Sequence, residues 1–247
     1  MKILLSNDDG KTAKSLPIIK KCLKKFGSVI VAVPKNDVSA CSSSLSVHSS
    51  VEIKKIDSSH YIIDGTSADS VHIVTRGIFK KMPDIVVSGV NFGSNLGDDV
   101  IYSGTVAAAI EGRFCKYAPI AISITSKKPK YISDIEMKID LVLEVFFRKL
   151  YRMKNIFNVN IPDIPFEKIK GVRFTCLGKR MVSGRAKKNQ KGRKTFFSIG
   201  PVGKSIPMKN TSDFLAIRNG YISITPLSTD MCDNTALIKL KKNHDKI

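Results

Sequence analysis

Two adjacent carboxylates, Asp8 and Asp9, follow directly on the apolar run Ile3-Leu4-Leu5. Held side by side, they repel unless something positive neutralises them. A hard cation such as Mg²⁺ or Mn²⁺ does so, taking oxygen ligands while keeping open water positions. The alternative use of the pair is structural, with one aspartate capping the next helix and the other facing solvent. Three further stretches carry ligand-capable groups. Ser88-Gly89-Val90-Asn91-Phe92-Gly93-Ser94-Asn95 combines glycines, which let a ligand approach the backbone closely, with Asn91 and Asn95, whose amides suit metal or phosphate. Turns use the same residue types. Tyr102-Ser103-Gly104-Thr105 leads into Val106-Ala107-Ala108-Ala109. A helix opening there presents free N–H groups and its positive dipole end to an anion, or is simply capped by its serine. Pro34-Lys35-Asn36-Asp37-Val38-Ser39 opens a serine-rich loop, Ser39 to Ser50, which either closes over a substrate or lies passively on the surface.

What positions these groups is an alternation of strands and helices. Ile3 to Leu5 reads as a buried strand. A helix from Ser15 to Phe26 is capped by Ser15, carries Pro17 in its first turn, and repeats Leu16, Ile19, Leu23 and Phe26 at helical spacing before Gly27. Val29 to Val33 is a continuous apolar run, the mark of a parallel strand covered on both faces. The pattern repeats: strand Tyr61 to Ile63, a turn at Asp64-Gly65, a Thr66/Asp69 cap before a helix from Val71 to Phe79, and strand Ile85 to Val87. Then come a loop from Ser88 to Ser103, a helix from Thr105 to Tyr117, strand Ile120 to Ile124 and a helix from Ile135 to Leu150. Such alternation predicts an α/β fold with a doubly wound, mostly parallel sheet. In such sheets ligands bind beyond the carboxyl ends of the strands, where all four stretches fall. We read one domain over 1–247, an α/β core at 1–170 and a β-rich arm with a C-terminal segment at 171–247. Val172 to Phe174, Phe196 to Ile199 and Tyr221 to Ile224 are its expected strands. Lys179, Arg180, Arg185, Lys187, Lys188, Lys191, Arg193 and Lys194 are expected on an exposed loop or hairpin arm, and Lys241 to Ile247 as a frayed polar tail.

Composition narrows the function classes. The 247 residues are 43% hydrophobic and 25% charged, normal for a folded protein with a substantial core. No apolar run approaches the ~20 residues that span a bilayer, and the N-terminus does not read as a signal peptide. A cytoplasmic protein is expected. Cys22, Cys41, Cys115, Cys176 and Cys232 are scattered and odd in number, and the four histidines lack ligand spacing, so neither a disulfide framework nor a zinc centre is expected. A net charge of +20 favours anionic partners.

These stretches resemble the SurE (survival protein E) family of 5′/3′-nucleotidases. The resemblance runs from Lys2 to about Leu227. It is carried by Ile3 to Gly10, by Val33-Pro34 with Ser39, by Asp64 to Asp69, by Ser88 to Asn95, and by Tyr102 to Ala109 with Glu111-Gly112. Later come Asn158-Val159-Asn160-Ile161-Pro162 and Gly220 to Leu227. It implies Asp8, Asp9, Ser39 and Asn91 as ligands of one divalent cation per subunit, Mg²⁺ or Mn²⁺. It also implies a Rossmann-like core with a β-hairpin arm and a C-terminal oligomerisation segment, a homodimer or homotetramer, and hydrolysis of nucleoside 5′- and 3′-monophosphates, with short polyphosphate cleaved by some members. The chain departs from the pattern at Lys35-Asn36-Asp37-Val38, where the family has an arginine-containing run, at Ser67 in place of a proline, and at Ala40 after the loop serine, where glycine is common.

The mechanism expected on this reading has the cation neutralising transition-state charge between Asp8, Asp9 and the phosphate. The phosphate would lie against Asn7, Asn95 and the groups at Ser103, Gly104 and Thr105. Water is the expected nucleophile, oriented or deprotonated by Asp8 or Asp9, which are therefore the catalytic candidates. The chain has no Asp-x-Asp-x-Thr motif of the haloacid dehalogenase type. The alternative from another class is a basic RNA- or polyphosphate-binding protein using Lys179 to Lys194. That stretch lacks interleaved aromatics for base stacking; neither nucleic acid nor a membrane is the expected partner.

Overall fold

The computed structural model of the chain describes residues 1–208 and 212–244. In chain order the regular elements are β1 (Lys2–Ser6), α1 (Leu16–Leu23), β2 (Ser28–Pro34), β3 (Ile53–Asp57), β4 (His60–Ile63), α2 (Ser67–Ile73), β5 (Ile85–Phe92), α3 (Gly104–Glu111), β6 (Ile120–Ile124) and α4 (Ile135–Val145). They continue with β7 (Ile156–Ile161), β8 (Val172–Phe174), β9 (Lys187–Lys191), β10 (Lys194–Ser198), α5 (Asp213–Arg218), β11 (Ile222–Leu227) and α6 (Asn234–His244). Among the described residues, nine strands form one sheet in the order β3-β4-β2-β1-β5-β6-β7-β11-β8. From β4 to β7 every pairing is parallel. The antiparallel pairings are β3 with β4 and β11 with β7.

The apolar runs explain this arrangement. Along each central strand alternate side chains enter different cores. Ile3, Leu5, Val31, Val33, Val87 and Ile122 pack with Ile19 of α1 and Ile139 of α4 on one face. Leu4, Ile30, Ala32 and Val86 pack with Val71 of α2 and Ala108 of α3 on the other. A strand buried on both faces must be apolar throughout, as Ile3 to Leu5 and Ile120 to Ile124 are. At α2 the Thr66 hydroxyl accepts from the Asp69 N–H at 3.0 Å and the Asp69 carboxylate accepts from the Thr66 N–H at 2.9 Å, so the expected cap is a reciprocal box.

Several expectations need correcting. Ser15 does not cap α1; its hydroxyl donates to the Val90 carbonyl at 2.6 Å, fastening the helix entry to β5. The stretch from Ser88 is not all loop. β5 runs on to Phe92, and Gly97–Tyr102 is a 3₁₀ turn. The strand β7 escaped the sequence reading because Asn158 and Asn160 interrupt its apolar pattern, yet all six residues are buried. Two strands expected in the arm, β8 and β11, instead complete the main sheet, and only β9 and β10 stand apart as a two-stranded hairpin with every residue exposed. The tail is helical as far as His244, and 245–247 lie outside the described residues. No helix among the described residues is long and apolar enough to cross a membrane.

Candidate functional site

From β1 the chain leads outward through β2 to β4 on one side, while β5, β6 and β7 follow on the other. The direction reverses between β1 and β5, and a crevice opens beyond the carboxyl ends of strands at such a switch point. Asp8 and Asp9 leave β1 there, and Asn91 sits near the end of β5. Together with Ser39 they line one cavity of about 900 Å³.

Local bonds set each donor. The Asn7 side chain is fully buried and closes on Gly10, its Nδ2 donating to the Gly10 carbonyl at 3.0 Å and its Oδ1 accepting the Gly10 N–H at 3.1 Å. Gly10 has φ of 81° and a Cβ there would meet the Asn36 carbonyl oxygen at 2.6 Å, so the turn that presents the two aspartates needs glycine. The Val38 N–H donates to the Asp8 carbonyl at 2.9 Å, which draws the serine loop alongside. Ser39 donates both its hydroxyl, at 2.6 Å, and its N–H, at 2.8 Å, to Asp37. Ala40 takes φ of 63°, the left-handed region, at the position where glycine is common in the resemblance. A bulge in β5 between Gly89 and Asn91 turns the strand end, and Asn91 Nδ2 donates to the Gly93 carbonyl at 2.8 Å, fixing which way its amide faces.

Asp8 is 4% exposed and accepts the Thr105 hydroxyl at 2.7 Å. A Cβ on Gly104 would meet the Asp8 Cβ at 2.8 Å, so only glycine lets the first turn of α3 come this close. Burial pushes the Asp8 carboxyl above its ordinary range, against the pull of the Thr105 hydroxyl. Asp9 is half-buried, and burial, then the charges of Asp8 and Asp37, push it up to about 6. No lysine or arginine pairs with either aspartate among the described residues. Two under-neutralised carboxylates beside a hydroxyl and an amide are hard oxygen donors, and they suit Mg²⁺ or Mn²⁺ rather than a soft metal.

The anion-side expectations divide. Asn95 and Ser103 line the cavity, whereas Asn7, Gly104 and Thr105 do not. Thr105 serves Asp8 instead, and Ser103 caps α3 by accepting the Val106 N–H at 3.1 Å. The Asn95 Nδ2 donates to the Ser123 hydroxyl at 2.8 Å, and its backbone is clamped from β7. Its N–H donates to Asn160 Oδ1 at 2.9 Å, and its carbonyl accepts from the Asn158 and Asn160 side chains, both at 2.8 Å. Cavity residues outside the four ligand-capable stretches include Lys14, Lys127, Asp99 and Arg180, while Tyr102 comes from one of those stretches. Arg180 is not part of a free basic arm. Its Nε donates to Asp99, its Nη1 to the Gly203 carbonyl at 3.0 Å, and its guanidinium lies 4.7 Å from the Phe214 ring centroid.

The family model described as survival protein SurE matches residues 3–184. The chain belongs to the SurE family. A relative called 5′-nucleotidase SurE from Histophilus somni (strain 2336) is 39% identical over 100% of both chains. Another of that name from Haemophilus influenzae (strain PittEE) is 38% identical, over 98% of this chain and 96% of its own. Among solved structures, the SurE protein from Aquifex aeolicus superposes with a TM-score of 0.84 at 34% identity, covering 98% of this chain and 99% of that one.

One consequence for this SurE-family chain concerns the Thr105 hydroxyl, whose loss leaves a buried carboxylate one donor short. Such a loss costs roughly 1–3 kcal/mol. Thr105→Val is expected to lower Tm by about 2–6 °C in cation-free protein at pH 7, whereas Thr105→Ser, which keeps the hydroxyl, melts with wild type; melting curves of the three proteins check it.

Proposed function

We propose that this SurE-family nucleotidase hydrolyses nucleoside 5′- and 3′-monophosphates to nucleoside and phosphate, and short polyphosphate as a further substrate. One Mg²⁺ or Mn²⁺ per subunit would be held by Asp8, Asp9, Ser39 and Asn91. The observation that carries the reading is the meeting of these four oxygen donors, from two loops and the end of β5, in one cavity of a chain with this family's sequence. A divalent cation bound there supplies charge neutralisation as negative charge builds on the phosphoryl oxygens. Asp8, nearly buried and hydrogen-bonded to Thr105, is poorly presented as a nucleophile, which favours water in that role. Asp9, the more exposed of the pair, is the carboxylate placed to orient it. Lys14 and Lys127 line the cavity and are exposed, so their ammonium groups can meet the phosphate, while Asn95 and Ser103 form its wall.

We place the protein in the cytoplasm as a homodimer or homotetramer. The exposed apolar side chains of the hairpin, Phe196 and Phe197, and of α6, Ile238 and Leu240, support self-association through the C-terminal region.

The test is phosphate release from a panel of nucleoside monophosphates with Mg²⁺, with Mn²⁺ and with a chelator. Release in cation and none in chelator is expected; equal release in all three would overturn the cation's role. Acidity adds a signed expectation. A proton on Asp9 competes with the cation, so affinity falls as pH drops through about 6. In cation-free protein the Asp9 carboxyl is raised from 3.8 in the unfolded chain to about 6 in the fold. Its contribution to stability is therefore present below about pH 4 and is lost as pH rises through 6. Denaturant melts at pH 4.5 and 7, with and without Mn²⁺, check both signs.

A further inference from the structure

The cavity is larger than a phosphate and its cation require; at about 900 Å³ it matches sites that enclose a whole drug-sized ligand. Two aromatic residues line it, Phe92 and Tyr102. Phe92 packs against the core of the sheet. Tyr102 does not: it is 60% exposed although its neighbour Ser103 is buried as the cap of α3. The backbone beneath the ring is held from three directions. The Gly97 N–H that begins its turn donates to the buried Asp213 carboxylate at 2.6 Å. Asp99, in the middle of the turn, accepts from Arg180. The Tyr102 carbonyl accepts the Ser42 N–H at 3.3 Å. An aromatic face on a fixed support, exposed in a cavity and one residue from the helix cap at the phosphate wall, is where the organic part of a substrate would rest.

Resting on the nucleotidase reading, we propose that Tyr102 is the platform on which the base of the nucleotide stacks. Stacking addresses the π-face, which every base has, rather than the hydrogen-bonding edge. Arg180, which lines the same cavity, is poorly suited to edge reading, since it is already bonded to Asp99, Gly203 and the Phe214 face. The enzyme therefore takes purine and pyrimidine monophosphates alike, with purines favoured by their larger overlap.

The experiment compares AMP with ribose 5-phosphate, which carries the phosphate and sugar without a base, in wild type, Tyr102→Phe and Tyr102→Ala. The alanine variant is expected to raise KM for AMP roughly tenfold or more while leaving kcat/KM for ribose 5-phosphate within about twofold of wild type. The phenylalanine variant, which keeps the ring, behaves as wild type on both. Equal losses on the two substrates would make the ring a support of the turn alone, and unchanged AMP kinetics would remove the platform; either overturns the proposal. Adenosine titrated by calorimetry into wild type and Tyr102→Ala tests the platform without turnover. Binding lost in the variant supports it, and equal affinity or no binding to wild type overturns it. Absence of phosphate release from every substrate by wild type counts against the nucleotidase reading, while the adenosine titration still decides the platform.

Discussion

Asp9→Asn is expected to abolish cation-dependent phosphate release while leaving the protein folded, and without cation it should be no less stable than wild type. The carboxyl of Asp9 is raised to about 6 by burial and by the charges of Asp8 and Asp37, so at pH 7 its ionised form works against folding. An amide of the same shape removes that repulsion. On the proposed function it also removes one of the two charges that would hold the cation, whose neutralisation of the phosphoryl group would be worth several kcal/mol, or about a thousandfold in rate. Asp8→Asn should lose activity comparably, because its Oδ1 can still accept from Thr105 while the charge is gone. Phosphate release in saturating Mn²⁺, alongside melting curves in chelator, separates the two effects. Cation-dependent turnover within tenfold of wild type in a folded Asp9 variant would sink the assignment of the pair.

Gly89→Ala is expected to carry the largest loss of stability among small substitutions near the site. Gly89 holds φ of 121°, a conformation that residues with a Cβ rarely take, and a Cβ there would press into the Ile122 carbonyl oxygen on β6. Backbone strain of this kind amounts to about 1–3 kcal/mol, and the neighbour is main chain within a parallel ladder, so it has little room to yield. A loss of about 3 kcal/mol corresponds to a Tm lower by about 6 °C for a domain of this length. The bulge that aims Asn91 would shift with it, so Mn²⁺ affinity should fall together with Tm. An unchanged Tm would show that the ladder adapts.

The centre of this fold was legible because physics writes it locally. Strands buried on both faces must be apolar, and Ile3 to Leu5 or Ile120 to Ile124 have no other plausible use. Asp8 and Asp9 drew notice because two acids directly after such a strand repel unless something neutralises them, and both line the cavity. What escaped depends on partners far apart in the chain. Asn158 and Asn160 look like breaks in a strand until they are seen clamping Asn95, 63 and 65 residues earlier. Asp213 has no local pattern that marks it, yet it holds Gly97, 116 residues away. Arg180 read as one basic residue among many because its partners, Asp99 and Phe214, are set by tertiary structure. Ser15 has the right type and place for a cap, but a buried carbonyl on β5 claimed its hydroxyl. The hairpin shows the same limit. Strand pairing sets Phe197 opposite Lys188 and Phe196 opposite Asn189, a juxtaposition that the linear order of the basic stretch conceals.

The rim of the cavity is tied down at several points. Val38 is bonded to the backbone of Asp8, Ser46 to the Asp69 carboxylate through both its N–H and hydroxyl, and Gly97 to Asp213. With these ties among the described residues, a substrate would meet a receptacle whose walls are already braced against one another, and discrimination would come from what fits between them rather than from what draws them together.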